Sequence, residues 1–387
     1  MDEPAVFERV VTALDERDYE PLVHVPEAHS DAYADVLDRC RRHQITIRGR
    51  YPDVLGFTAT DRVFAIEVKG SRNLLRGIGQ ALTYQQGAHV SYLAGAEAAV
   101  APHASLLRSK GVGVIGVDRE GTASWDAPPS AESTAEVADV AGQLSVRLRD
   151  DVFGGDVTTL SLAQPLNYLA PVVAIDRHGP LSRDALVDVI ADEYGFGAGD
   201  EAVTSARTLG LIGTGSPHEL TSQGDLSATV LHGYGVEELD DLRLTKADVS
   251  GRTVAAVHPP LATLLRNAFA RHPEFGLLLD ALREAGPRIH FLYLVERLVR
   301  EYPNVFLSAF CTTRGASRAR ALIERGETAR LYRDESVWRD VIRNNVLFNF
   351  VQQLKHVGVL APKTRSHSGA MSEYDPEEKP WIVAESG

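Results

Sequence analysis

Pro52-Asp53-Val54-Leu55-Gly56-Phe57-Thr58-Ala59, the turn Thr60-Asp61-Arg62, then Val63-Phe64-Ala65-Ile66-Glu67-Val68-Lys69 read as two strands joined by a tight turn. The second is a largely apolar run that ends in charge, the pattern of a strand inside a sheet. Side chains alternate across a strand, so Glu67 and Lys69 share one face and Val68 turns toward the core. Asp53 stands at the start of the first strand, separated from Glu67 by a spacer of 13 residues. The spacing therefore predicts two carboxylates and one lysine at neighbouring strand ends.

Working outward, residues 4–16 carry Val6, Val10, Val11 and Leu14 at helical spacing. A strand over Tyr19 to Val25 and a helix over Asp31 to Arg42 precede the hairpin. A helix over Arg72 to Gly87, a strand at His89 to Leu93, a helix over Ala98 to Ser109 and a strand at Val112 to Val117 follow it. This succession is that of an α/β unit, a mixed sheet flanked by helices, expected over 1–126. Residues 127–163 read as a linker holding one helix, Thr134 to Arg147, which could pack on either neighbour.

From 164 to 235 the pattern changes to short helices: Leu166 to Ile175, Leu181 to Tyr194 with Ser182 as N-cap, and Glu201 to Leu209. A hairpin is expected from Leu211-Ile212-Gly213-Thr214-Gly215 and Glu219-Leu220-Thr221-Ser222-Gln223-Gly224. Residues 236–387 are expected to form a second helical, winged-helix-like domain. Helices are expected at Leu261 to Ala270, His290 to Arg300 and Ser336 to His356, and two strands at 357–361 and 380–384 around the polar loop Pro362 to Glu378.

The chain has 387 residues, 44% of them hydrophobic, enough for two or three domains with real cores. Its apolar runs are far too short to span a membrane, and Met1-Asp2-Glu3-Pro4 is no signal peptide, so a cytoplasmic protein without a membrane partner is expected. Two cysteines, Cys40 and Cys311, exclude a disulfide framework or a thiolate metal site. The thirteen histidines show no closely spaced pair of the HxH or HxxxH kind. Any metal would be hard and oxygen-ligated.

The net charge of −13 would ordinarily argue against nucleic acid. Only six of the 40 basic residues are lysines, however. Abundant acid with scarce lysine resembles the surface of a salt-adapted, haloarchaeal protein, and global charge then says little about partners. Local charge matters more. Residues 312–343 hold eight arginines, Arg314, Arg318 and Arg320 among them, against five acids. Arginine suits phosphate, although a salt-bridged exposed helix has the same composition.

Pro52-Asp53 followed by Glu67-Val68-Lys69 resembles the PD-(D/E)xK signature. Residues 1–120 are similar to the restriction-endonuclease-like fold, which includes archaeal Holliday-junction resolvases and Mrr-type restriction enzymes. The resemblance implies a DNA endonuclease that uses Mg2+, with Mn2+ as a substitute. Asp53, Glu67 and the Val68 carbonyl would hold the ion, and Lys69 would orient water or stabilise charge. In the family the first helix often adds a carboxylate, which points to Glu8, with Glu20 behind it; a solvated helix face explains Glu8 equally well. Gln80 and Tyr84 match a QxxxY helix pattern and share one helix face, Gln80 toward the catalytic group and Tyr84 toward DNA. Arg72 and Arg76 are candidate phosphate contacts, with an ordinary surface role as the alternative.

Gly210-Leu211-Ile212 and Leu220-Thr221-Ser222-Gln223-Gly224 resemble a prokaryotic winged helix, whose third helix would here offer Arg207 to DNA. The resemblances together imply a homodimeric nuclease with target-reading modules, working in restriction, anti-phage defence or DNA repair, alone or with other defence subunits. A winged-helix regulator that binds DNA without cutting is the alternative. A Pro-Asp pair is also a turn signal, and a charged strand end can simply be solvated.

Overall fold

The computed structural model describes residues 1–128, 132–152, 160–342, 344–364 and 381–384. It divides into two compact units, Met1–Arg149 and Asp150–Gly387.

The first unit is built on a six-stranded mixed sheet, ordered β1 (Glu20–Val23), β2 (Val54–Phe57), β3 (Val63–Val68), β4 (Val90–Ala96), β5 (Val112–Val117) and β6 (Ala123–Asp126). β1, β2 and β3 are mutually antiparallel, β3, β4 and β5 run parallel, and β6 returns antiparallel. Every residue of β3 is buried. Alternation divides its side chains between two cores. Phe64, Ile66 and Val68 meet Val6, Phe7, Val10, Val11 and Leu14 of α1 (Glu3–Asp15) on one face. Val63 and Ala65 meet Tyr84 of α3 (Leu74–Tyr84) on the other. Asp2 caps α1 by accepting from the Ala5 N–H at 3.1 Å, and Pro4 stands in the first turn, where no intrahelical donor is lost. Burying each large apolar side chain contributes about 1.5–3 kcal/mol relative to exposure, and that fixes α1 on the sheet.

The structure departs from the sequence reading in several places. Asp31 to Arg42 is no long helix: a 3-10 turn, Glu27–Tyr33, leads into α2, Ala34–Leu37. Ala98 to Ser109 is interrupted at Pro102, giving α4 (Glu97–Val100), a 3-10 turn and α5 (Ala104–Ser109). The edge strand β6 was not foreseen. The helix expected in the linker is α6, Ala135–Arg149. It belongs to the first unit, because Val137, Val140 and Leu144 join the core of Leu55, Phe57, Val63, Ala65 and Tyr84.

The second unit is helical. A 3-10 turn at Pro165–Leu169 continues into α7 (Ala170–His178), followed by α8 (Arg183–Tyr194), α9 (Gly199–Thr208) and α10 (Ser222–Gly233). Ser182 caps α8 by accepting from the Ala185 N–H at 3.3 Å. The expected hairpin is reduced to single bridges, Ile212 with Leu220 and Leu181 with His218. Ser222, Gln223 and Gly224 are not hairpin but the first turn of α10, capped by Thr221. The helix expected over Ser336 to His356 is two, Glu335–Val341 and Asn344–His356, separated where Ile342 is extended and bridges Cys311. β7 (Arg288–Ile289) pairs with β8 (Trp381–Ile382), and Leu360 bridges Val383. The polar loop before β8 lies outside the described residues from 365 on, as do 129–131 of the linker. Among the described residues no helix is long and apolar enough to cross a membrane.

Leu144 is fully buried in the core beneath α6. Leu144→Ala should destabilise the unit that carries the sheet by about 2–5 kcal/mol, measured by urea unfolding. An unchanged transition would show that α6 is a linker helix after all.

Candidate active site

The β2–β3 register makes the site. Val54 pairs with Ile66, so one step outward Asp53 stands across from Glu67. Asp53 is held by its main chain, where the carbonyl accepts from the His24 N–H at 2.9 Å. It is held by its side chain as well: Oδ2 accepts from the Val68 N–H at 2.7 Å. The Lys69 N–H donates to the Ala94 carbonyl at 2.8 Å, so pairing with β4 continues to the lysine.

Glu67 is only 1% exposed, and both its oxygens are engaged. Oε1 lies 2.6 Å from Lys69 Nζ. Oε2 lies 2.7 Å from the Tyr84 hydroxyl, which is also 2.9 Å from the Tyr51 carbonyl. Lys69 Nζ collects further oxygens: the Val68 carbonyl at 2.8 Å, Asp53 Oδ2 at 3.8 Å and Glu3 Oε2 at 4.0 Å. α3 has to come very close for this to happen. A Cβ on Gly77 would lie 2.9 Å from Lys69 Cγ and 2.8 Å from Leu93 Cδ1, so only glycine lets the helix reach the strand ends.

Three carboxylates around one ammonium leave an excess of negative charge. Burial, reinforced by Glu67, pushes the Asp53 carboxyl up to about 8, against the pull of Lys69 and the Val68 N–H. Burial also raises Glu67, with Lys69 and Tyr84 opposing. Burial alone would lower Lys69; the attraction of Asp53 and Glu67 outweighs it and holds the side chain as an ammonium. Tyr33, hydrogen-bonded to Glu3, is pushed up to about 12 by burial and by the Glu3 and Asp53 carboxylates.

Asp53, Glu67, Val68 and Lys69 are thus brought together as the sequence suggested. The α1 carboxylate is Glu3, not Glu8. Glu8 lies five residues along the helix, more than a turn away and on another side. Glu20 pairs with Phe57 at the far end of β2 and forms an ion pair with Arg149 at 2.9 Å. Tyr84 was expected at DNA; it is fully buried, its ring in the core and its hydroxyl on Glu67, so it cannot reach a duplex. Gln80 faces the Tyr84 hydroxyl, and among the described residues its Oε1 is buried without a hydrogen-bond partner. Arg72 and Arg76 are exposed around the start of α3. In the second unit Arg207, Arg314, Arg318 and Arg320 are exposed, with Arg318 paired to Asp340. Glu3 and Tyr33 were missed, because nothing in the local pattern shows that the first turn of α1 and the Glu27–Tyr33 segment meet the strand ends.

Among the described residues no group of three or more His, Cys, Asp or Glu is arranged to hold a metal ion. Glu3 touches the ammonium and is not gathered with the other two carboxylates. The donor set is nevertheless that of a hard divalent cation: carboxylate oxygens and a main-chain carbonyl already turned toward a positive charge. The orphaned Gln80 Oε1 suits a cation or its water in the same way. Comparison of the chain with family models, with curated proteins and with solved structures gives no match.

Two outcomes follow from the electrostatics. Asp53 holds its proton to higher pH folded than unfolded, so the stability it contributes is present below pH ~4 and lost as pH rises through about 8. The buried His43, lowered to about 3, acts in the opposite sense, but its contribution is complete above pH ~6.5. With divalent ions chelated, Asp53→Asn should therefore gain on wild type between pH 6.5 and 8 in urea unfolding; parallel curves would refute the shift. Tyr84→Phe leaves Glu67 Oε2 without its donor and should cost about 1–3 kcal/mol; no measurable loss would mean that this hydrogen bond does not form in solution.

Proposed function

We propose that the first unit is a metal-dependent endonuclease that hydrolyses phosphodiester bonds of DNA, with Mg2+ or Mn2+ as cofactor. The observation that carries the reading is the convergence of Asp53, Glu67, Glu3 and the Val68 carbonyl on the Lys69 ammonium at one strand end. Asp53, Glu67 and the Val68 carbonyl would hold the ion. Bound there, it would supply an activated water and offset charge on the phosphate. The chain's own residues do the rest. Lys69 is kept protonated by its neighbours, so it serves by donating hydrogen bonds to developing negative charge rather than by taking a proton. Tyr84 fixes the rotamer of Glu67. The Val68 N–H directs Asp53 Oδ2. The resemblance to PD-(D/E)xK nucleases supports the same assignment.

For the second unit we propose target recognition. Its α7, α8 and α9, followed by the Leu211–Leu220 turn with the Leu181–His218 bridge, support a winged-helix reading. Its third helix carries Asp200 and Glu201 in its first turn and exposes Arg207 in its last. Service in restriction, defence or repair, as a homodimer or within a larger assembly, belongs to the same proposal. The closed Lys69–Glu67 pair favours, as a second reading, a DNA-binding protein that does not cut.

Supercoiled plasmid incubated with Mg2+ or Mn2+ over a range of KCl concentrations separates the two. Wild type should nick or linearise it, and Asp53→Ala, Glu67→Ala and Lys69→Ala should each lower the rate at least ~100-fold. Equal rates for all four proteins would sink the nuclease reading. DNA binding without cleavage under every ion and salt would establish the second.

A further inference from the structure

The segment just before Asp53 is built as a rigid, exposed rim. Ile47 and Arg50 form a narrow bridge, with the Ile47 N–H to the Arg50 carbonyl at 2.9 Å and the reverse bond at 3.1 Å. The two residues between them, Arg48 and Gly49, both have positive φ, 52° and 72°, the signature of a tight two-residue hairpin turn. Arg48 Nε pairs with Glu136 of α6 at 3.0 Å, which ties the turn to the unit. Arg50 and Tyr51 follow, both exposed.

Tyr51 is the unusual member. Its ring lies on that of His24 with centroids 4.3 Å apart and planes 8° from parallel. With one face covered, it remains 41% exposed. His24 is fixed in turn by Nδ1, 3.2 Å from the His43 carbonyl. The Tyr51 carbonyl is 2.9 Å from the Tyr84 hydroxyl that holds Glu67, and Tyr51 is two residues from Asp53. A large aromatic side chain, backed by a second ring, thus stands in water at the edge of the candidate active site with an arginine beside it. What sets Tyr51 apart is not exposure, which single apolar side chains commonly show, but its stacked support and its place two residues from Asp53.

We propose that Tyr51 is a stacking platform for an unpaired nucleobase, and Arg50 a contact to the adjoining phosphate, so that the substrate presents single-stranded DNA beside the scissile bond. Base-paired DNA offers its faces only to neighbouring bases, whereas an unpaired base of any identity can lie on an aromatic ring. The proposal rests on the nuclease reading and deepens it by naming the substrate class: a single strand, a flap or a branched junction rather than an uninterrupted duplex.

The test is fluorescence anisotropy with divalent ions chelated, using fluorescein-labelled oligothymidine and a duplex of the same length at low salt. Tyr51→Ala should weaken oligothymidine binding about tenfold and duplex binding by less than about twofold, while Tyr51→Phe binds as wild type. Arg50→Ala should weaken both ligands alike and reduce the salt dependence of binding. Oligothymidine binding by Tyr51→Ala equal to wild type would overturn the proposal. So would an equal loss for strand and duplex, or no binding of oligothymidine by wild type. Binding is read without cleavage, so Tyr51-dependent binding in a protein that never cuts plasmid would remove the nuclease reading alone. Cleavage by a protein whose strand binding ignores Tyr51 would remove this proposal alone.

Discussion

Glu67 is a carboxylate at the end of a strand whose six residues are all buried, and the first unit is arranged around satisfying it. A buried ionised carboxylate without partners is prohibitively costly. Each of its oxygens therefore has one fixed partner, Lys69 from its own strand and Tyr84 from the covering helix. These two contacts dictate much else. β3 must remain paired as far as Lys69, which the Ala94 carbonyl ensures. α3 must approach the strand ends so closely that a side chain at position 77 would have to displace Leu93 and Lys69. Tyr84 must bring its hydroxyl through an otherwise apolar core. Replacing buried ion pairs by well-packed apolar residues is often neutral or stabilising. A cluster that costs this much and constrains three elements is consistent with the catalytic role proposed above.

The cluster is also unbalanced. One ammonium faces Asp53, Glu67 and Glu3, and burial first, with the neighbouring carboxylates adding to it, makes Asp53 and Glu67 reluctant to ionise. A site in that condition gains from a second positive charge. In the function proposed above, that second charge would be the divalent ion held by the same oxygens. Tyr84 sharpens the arrangement: its single proton cannot serve Glu67 Oε2 and the Tyr51 carbonyl at once, so the rim carrying Tyr51 and the carboxylate are joined through one hydroxyl.

The hairpin of β2 and β3 and the residues at its ends were legible because period-2 alternation and a polar turn are local signals. The β6 strand was not, since Ala123-Ser124-Trp125-Asp126 is short, half-exposed and polar at an edge. The carboxylate of α1 was misplaced for a three-dimensional reason. Glu8 has the better position within the helix, but it is the first turn that lies over Gly70, where a Cβ would be 3.0 Å from the Glu3 nitrogen. For Gln80 and Tyr84 the spacing gave a shared face without its direction. Gly77 and Ala81, buried on that face, carried the missing information: small residues mark where a helix approaches closely, so Tyr84 had to point inward. Likewise α6 was visible as a helix, while its allegiance depended on which core had room for Val137, Val140 and Leu144.

Charge does not supply what a nucleic-acid partner would ordinarily demand of this chain. In the arginine-rich stretch of the second unit, four of the eight arginines are paired internally: Arg318 with Asp340, Arg325 and Arg330 with Glu327, Arg339 with Glu335. Such exposed pairs add little stability, yet each cancels a charge that phosphate would otherwise feel. On a protein of net charge −13, high ambient salt would also remove most of the affinity that counterion release provides. The DNA recognition proposed above would then lean on contacts that salt does not screen. Stacking on an aromatic ring is one of these, and under the proposal made above the ring held by His24, two residues from Asp53, would supply it.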